Sequence, residues 1–313
     1  MVFLGSSPFQ APAVYSLMSH LDFRSGVYYP RHGMMDLVSS MERLGESLGV
    51  RLYYNSPVKR IVLEGNQATG VELMNGERIA ADLVISAADI RHTESRLLPS
   101  AFRSYPEKYW QKRQPGPGAL LVSLGVKGRL PNLQHHNLYF VKNWRENFAA
   151  IYETGTVPEH ASLYVCNPSK THAELAPIGH ENLFVLLPLP AGVTLTPEQE
   201  KTCTDTIIHV LAEMCGESDL PNRVVSQLIY SPRQFGEQFN AWKYNAFGGE
   251  SHLLRQSVMF RTRNRSKKVP NLYYVGAGTL PGIGLPMCLI SAQLTFKRIT
   301  RNRRRGPLAK EDV

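Results

Sequence analysis

The residues best equipped for chemistry lie late in the chain, in the run VGAGTLPGIGLP from Val275 to Pro286. Gly276, Gly278, Gly282 and Gly284 follow a short β-like run, Leu272 to Val275, and precede a helical segment carrying Met287, Leu289, Ile290 and Leu294. Glycines strip Cβ atoms from a stretch of surface, so a flat or bulky ligand can reach the backbone. The first turn of the helix offers unpaired N–H groups and the positive end of its dipole, which suit a phosphate or an electron-rich ring edge. A dinucleotide fingerprint, however, needs G-x-G-x-x-G with further βα units behind it and an acidic residue about 20 positions on. Here Pro281 stands where the third glycine belongs, the downstream region is basic, and no further strand follows. The loop is not a first Rossmann turn. Spacing alone leaves two readings, a turn that packs a strand on a helix or one wall of a cofactor site.

Other reactive residue types are less well arranged. His135 and His136 suggest a metal, but neighbours on a strand point to opposite faces, so the pair makes a poor chelate and no metal is expected. Cys166, Cys203, Cys215 and Cys288 are scattered without a C-x-x-C pair, which argues against a zinc ribbon or a disulfide framework and fits a reducing cytoplasm. Ser6-Ser7 lacks the G-x-S-x-G context of a hydrolase elbow. The acidic residues form no paired-carboxylate pattern, so no catalytic residue is assigned. Tyr28, Tyr29, Trp110 and Trp242 read as core or pocket walls.

Stepping outward, 313 residues with 43% hydrophobic and 19% charged content describe an ordinary globular chain of one large or two medium domains. Its longest apolar run, LFVLLPLPAGV from Leu183, falls short of a bilayer span and contains Pro188 and Pro190. The start, MVFLGSSPFQAP, has neither a basic region nor an apolar core, so no signal peptide is expected. The net charge of +9 gathers at RTRNRSKK (Arg261 to Lys268) and KRITRNRRR (Lys297 to Arg305). No nucleic-acid-binding signature accompanies these runs. A solvated surface or anionic lipid headgroups are the remaining readings.

The elements that must position the loop are legible in part. Met34, Leu37, Val38, Met41, Leu44 and Leu48 recur at helical spacing from Gly33 to Leu48, and Gly49 closes that amphipathic helix. Strands are expected at Val50 to Tyr54, Val58 to Leu63, Thr69 to Leu73, Arg78 to Ala80 and Asp82 to Ser86, with turns at Glu64-Gly65-Asn66 and Asn75-Gly76. Leu83-Val84-Ile85 lacks alternation and predicts a parallel strand buried on both faces. After Asp89, the runs PGPGALLVSLGV, HHNLYFV, ASLYVCNPS and NLFVLLPLP predict a separate sheet. A helix over Thr196 to Cys215, a strand over Arg223 to Tyr230 and a helix after Pro232 follow.

The loop, read with its flanks, resembles a known family. NLYYVGAGTLPGIGLPMCLISAQL is similar to the C-terminal flavin signature of bacterial-type phytoene (carotenoid) desaturases, within the flavin-containing amine-oxidase-like superfamily. AFGGESHLLRQSVMFRTRNRSKKV, GVYYPRHGMMDLVSSMERLGESLGV and NSPVKRIVLEGNQATGVELMNGERIAADLVISAAD resemble further blocks of that family. So do FLGSSPFQAPAVYSLMSHLDF and the segments from SLGVKG to NLFVLLPLP, so the resemblance reaches the basic tail.

The resemblance implies a mixed α/β fold, an incomplete FAD-binding Rossmann-like domain with an inserted sheet-plus-helix substrate domain. Residues 1–30 would belong to a substrate or lid region, 31–90 and 257–300 to the FAD domain, 91–256 to the substrate domain and 301–313 to a basic tail. Val58 would meet the adenine portion of FAD, while Ala87 and Ala88 would end the strand passing the cofactor. Gly276, Ala277 and Gly278 would pass its ribityl chain and pyrophosphate; Pro281, Gly282, Gly284, Pro286 and Met287 would border the isoalloxazine. The implied reaction desaturates phytoene or a related carotene at a membrane surface, in the cytoplasm. Two departures stand out. The family's opening G-x-G-x-x-G unit has no counterpart, which implies a truncated or split form completed by a separate N-terminal half. Leu280 also replaces the usual histidine, and His32 the first glycine of a Gly-Gly pair. A related amine oxidase, a carotenoid isomerase and an inactive remnant or binding module are the alternatives.

Overall fold

The computed structural model describes residues 5–26, 28–158 and 161–309, and its architecture is mixed α/β. The first four residues of the expected N-terminal segment and the last four of the basic tail lie outside the described residues. Two helices come first, α1 (Ser16–Arg24) and α2 (Met34–Ser47). α2 matches the helix predicted from periodicity, yet none of its residues is buried. Its stripe of Met34, Val38, Met41 and Leu44 faces solvent, with no partner among the described residues. The strand expected at Val50 to Tyr54 does not form. No sheet edge lies against it among the described residues, and an extended segment without one must leave its amides to water.

β1 (Val58–Glu64), β2 (Gln67–Leu73) and β3 (Arg78–Ala80) form an antiparallel sheet in that order, and both turns fall where expected. In the second turn the Asn75 side-chain carbonyl accepts the Glu77 N–H at 3.0 Å, the local bond that makes Asn-Gly a hairpin former. On β2, Glu72 meets Arg60 at 2.6 Å, Lys59 at 3.1 Å and Arg78 at 3.3 Å. The hydrogen bonds from Arg60 and then Lys59 hold its carboxyl down at about 2, against an ordinary 4.5.

After β4 (Val84–Ser86) come two short helices, α3 (Ile90–His92) and α4 (Glu107–Trp110), and then β5 (Gly118–Lys127). β6 (His136–Tyr139), α5 (Trp144–Ala149), β7 (Leu163–Cys166) and β8 (His180–Leu189) follow. Next are α6 (Pro197–Cys215), α7 (Leu220–Arg223), β9 (Val224–Tyr230) and α8 (Pro232–Phe239). β5 to β9 build a five-stranded antiparallel sheet in the order β6-β7-β8-β5-β9. Alternation along β5 and β8 sends Leu120, Val122, Leu124, Leu183, Val185 and Leu187 to one face. There they pack with Ile207, Ile208 and Leu211 of α6 into the larger core. α6 starts at a capping box between Thr196 and Gln199 and stops at Gly216, the signals its sequence carries at both ends.

β10 (Leu272–Tyr274) then pairs in parallel with β4, Leu272 opposite Val84 and Tyr274 opposite Ser86, and α9 (Leu285–Ile299) closes the described elements. Asn271 ties this pair to the three-stranded sheet: its side-chain amide donates to Ala68 O and Asp82 O at 2.7 Å and accepts the Ala68 N–H at 2.9 Å. The parallel pairing of β4 was expected, but burial on both faces was not found. Ile85 is 47% exposed, because nothing among the described residues covers that side.

Candidate functional site

The glycine loop joins β10 to α9 and is fixed from behind by a buried polar network. Asn264 Nδ2 donates to Thr279 Oγ1 at 3.0 Å, Leu280 O at 3.0 Å and Ser291 Oγ at 2.9 Å. Ser291 Oγ also accepts the Gly276 N–H at 3.2 Å and lies 2.9 Å from Thr279 Oγ1. Thr262 donates its hydroxyl to Gly278 O, and its carbonyl takes the Leu280 N–H at 3.1 Å. The network fixes the loop's backbone, although Asn264 Oδ1 is buried without a hydrogen-bond partner among the described residues. Arg261, buried beneath, reaches Ala277 O at 3.4 Å and Glu250 O at 3.0 Å. Its Nε has no hydrogen-bond partner among the described residues and lies 3.2 Å from where a Cβ of Gly282 would sit. Burial pushes its guanidinium below its ordinary value.

The run RTRNRSKK, expected as a solvated or headgroup-facing surface, therefore contributes Arg261, Thr262, Asn264 and Ser266 to the interior. Sequence reasoning missed these positioning residues. A polar run beside lysines carries no local sign of burial; only contact with residues 15 to 27 positions away reveals it.

A second glycine pair closes on the loop. Gly248 and Gly249 have φ of +76° and +86°, and a Cβ on Gly249 would lie 2.8 Å from the Gly278 Cα. Glycine is required there twice over, by conformation and by backbone approach. The end of β4 arrives from the third side, with Val275 N–H donating to Ser86 O at 3.0 Å. Asp89 next to it is half-buried and accepts the N–H groups of His92 and Trp242, each at 3.0 Å. Burial nevertheless raises its carboxyl above the ordinary value.

These three segments surround a cavity of about 430 Å³, walled by Ala87, Ala88, Gly248, Gly249, Ala277 and Gly278, with Phe235 and Phe239 of α8 opposite. Four of the residues expected to meet a cofactor, Ala87, Ala88, Ala277 and Gly278, are thus brought together. Gly276 adjoins them, its Cβ position 4.0 Å from Ala87 O. Pro281, Gly282, Gly284, Pro286 and Met287 continue from the cavity to the start of α9 and do not line it. Gly284, at φ +115° and ψ 152°, is the open end of that path, with no atom within 4 Å of its Cβ position. Val58 opens β1, half-buried against the second core, and is not among the lining residues.

From α8 an aromatic cluster leads outward. Tyr230 of β9 packs on Phe235 at 4.9 Å and on Phe239 at 6.5 Å. Its strand partner is Leu121, which also faces Leu186 across β5 and β8. Directly paired residues share a face, so these side chains mark the sheet face opposite α6. That face is only partly covered, and Leu228 on it is 68% exposed.

His135 and His136 do not diverge as expected. β6 begins at His136, so His135 lies before the strand, and the two ring centroids are 4.4 Å apart. The rule of opposite faces holds only within a strand.

Residues 1–299 match the family described as flavin containing amine oxidoreductase. A carotenoid 3,4-desaturase of Haloarcula japonica is 39% identical over 299 residues, 96% of this chain and 60% of that protein. A zeta-carotene-forming phytoene desaturase of Myxococcus xanthus is 34% identical over 301 residues, 95% of this chain and 57% of its own length. Among solved structures, an oxidoreductase from Methanosarcina mazei superposes with a TM-score of 0.62 at 17% identity, covering 95% of this chain and 62% of that one. The fold is shared with that structure, and the chain spans less than two thirds of the length of these relatives. The chain belongs to the flavin-containing amine oxidoreductase family.

Proposed function

We propose that this chain is the larger part of an FAD-dependent desaturase acting on a long apolar carotene such as phytoene. The observation that carries the reading is the meeting of the β4 end, the Gly248-Gly249 pair and the Ala277-Gly278 loop around one cavity. Its relatives, desaturases by name, supply the substrate class. The residues present fit a flavin dinucleotide. They offer a wall of glycines and alanines with no side chain beyond Cβ, an open glycine at the N-terminus of a 15-residue helix and a buried guanidinium with a free Nε under the loop. When bound, the flavin supplies the two-electron chemistry that takes hydrogen from a saturated C–C bond.

The chain's own part is positioning. Ala87, Ala88, Gly276, Ala277 and Gly278 let the cofactor lie on backbone. The first N–H groups of α9 face negative charge at its far end, and Pro281, Gly282, Gly284, Pro286 and Met287 shape the approach. The Asn264–Thr279–Ser291 network keeps that surface from yielding. Tyr230, Phe235 and Phe239 lead from the cavity to the partly open sheet face, where Leu121, Leu186 and Leu228 would carry a polyene and exclude water. In this reading residues 31–90 and 257–300 hold the cofactor and 91–256 the substrate. No helix among the described residues is long and apolar enough to cross a membrane. The basic runs and the apolar substrate support docking on a cytoplasmic membrane surface. A covalent flavin link at Cys288, which an amine oxidase reading would favour, is opposed by a thiol that burial pushes up.

Completion by an N-terminal FAD-binding segment, from the same polypeptide or a separate one, is supported by the apolar surface of Ile85, Leu285 and Leu289 beside the cofactor path. The test is flavin content and phytoene desaturation by the full chain, with and without a co-expressed βαβ segment from a relative. About one FAD per complex and new conjugated carotenes in liposomes are expected with the segment present. A complex that takes up no flavin and forms no product would sink the proposal.

A further inference from the structure

Outside the cofactor site, His135, His136 and Cys166 bring their ligand atoms within 4.8 Å of one another. The register explains the convergence. His136 of β6 pairs directly with Cys166 of β7, so their side chains share one face of the sheet. His135 joins them because it lies outside the strand, where its carbonyl accepts the Asn167 N–H at 2.8 Å and its ring turns toward its neighbour's.

The surroundings of the two rings decide which nitrogens are free. His135 Nδ1 is 2.7 Å from Thr171 Oγ1, and His136 Nδ1 is 2.8 Å from the Tyr164 hydroxyl. With both Nδ1 atoms engaged to side-chain oxygens, each imidazole presents Nε2. The Nε2 of His135 is buried with no hydrogen-bond partner among the described residues, an arrangement that costs free energy unless something accepts or donates there. Tyr164 lies two residues before Cys166 on the same face, and its hydroxyl also reaches the thiol. Nδ1–H of His136 can therefore donate to the Tyr164 oxygen while Tyr164 O–H donates to a Cys166 thiolate. Orienting bonds of this kind are what metal-ligating histidines ordinarily carry on their second nitrogen.

We propose that His135 Nε2, His136 Nε2 and Cys166 Sγ form a zinc-type site with a fourth, solvent-facing position. One thiolate and two imidazoles suit a borderline-soft divalent ion better than calcium or magnesium, which take oxygen. Zinc contacts of about 2.0–2.3 Å require the three atoms to close up by roughly an ångström. The exposed His136 side chain can supply that movement. Binding releases the thiol proton to solvent and leaves the metal's charge balanced in part by the thiolate. Its structural effect is to pin the four-residue edge strand β6, which among the described residues pairs only with β7, and the Thr171 turn behind it. The site stands apart from the flavin reading and survives its failure.

The probe is Co2+ followed by Zn2+, added to the full chain without a histidine tag, with optical absorption as readout. About one Co2+ per chain is expected, with the intense near-ultraviolet thiolate-to-cobalt band and tetrahedral visible bands, all displaced by Zn2+. Cys166→Ser should abolish the thiolate band, and His135→Gln should weaken binding by about tenfold or more. His180→Gln, at a half-buried histidine on β8 of the same sheet, should bind as the parent does. Absence of the thiolate band in the parent overturns the proposal without reference to any variant. Equal uptake by all four proteins overturns it as well.

Discussion

At the residue scale, two glycines of the candidate site can be told apart by what a methyl group would meet. Gly249→Ala places a Cβ 2.8 Å from the Gly278 Cα, backbone against backbone, so neither side can yield cheaply. A loss of about 1–3 kcal/mol is expected, read from urea unfolding. Gly284→Ala meets no atom, but its φ of +115° with ψ of 152° lies where only glycine is at ease. Its cost, again about 1–3 kcal/mol, is conformational. Under the proposed function it should also weaken flavin uptake, whereas a surface alanine elsewhere should not. Asn264→Ala removes three hydrogen bonds and leaves Ser291 and Thr279 short of a partner, for an expected loss of about 1–3 kcal/mol or more. Gly284 was legible in the sequence because the spacing of the loop glycines is itself the signal; Gly249 was not, since only the fold brings it against Gly278. Asn264 and Arg261 were not, because type and neighbours suggest a wet surface and only the fold buries them.

At the element scale, local pattern carried most of the information. α6 was legible from Thr196-Pro197-Glu198 at its start and its apolar period; Leu211→Ala at its buried centre should cost about 2–5 kcal/mol in urea unfolding. The three-stranded sheet was legible from its turns, but the charge cluster on β2 was not, since pairing register sets which cations meet Glu72. That cluster gives the sheet an acid limit. The folded-state carboxyl lies at about 2 against an ordinary 4.5, so as pH falls the unfolded chain takes up the proton first. The stabilisation is full above pH 4.5 and is lost as pH falls toward about 2. Glu72→Gln should flatten that dependence, visible as a urea midpoint that changes less across this window. Val50 to Tyr54 shows the limit of local reading, since strand propensity without a neighbouring edge makes no strand.

At the scale of the whole molecule, the surface is out of keeping with a self-sufficient body. Met34, Val38, Met41 and Leu44 on α2, Ile85 on β4 and Leu285 and Leu289 on α9 are all exposed. Exposed apolar side chains on three elements favour association. The full chain by itself should run as a concentration-dependent oligomer in light scattering, and a co-expressed FAD-binding segment should convert it to one defined complex. The tie made by Asn271 also bears on how the molecule comes into being. Its partners Ala68 and Asp82 lie 203 and 189 positions earlier in the chain. During synthesis the three-stranded sheet therefore leaves the ribosome long before the strand that carries the glycine loop. Contacts so distant are slow to close. The five-stranded sheet between them, built from nearer neighbours, is expected to fold first and shorten that gap, so assembly proceeds from that sheet inward and the glycine loop is set last.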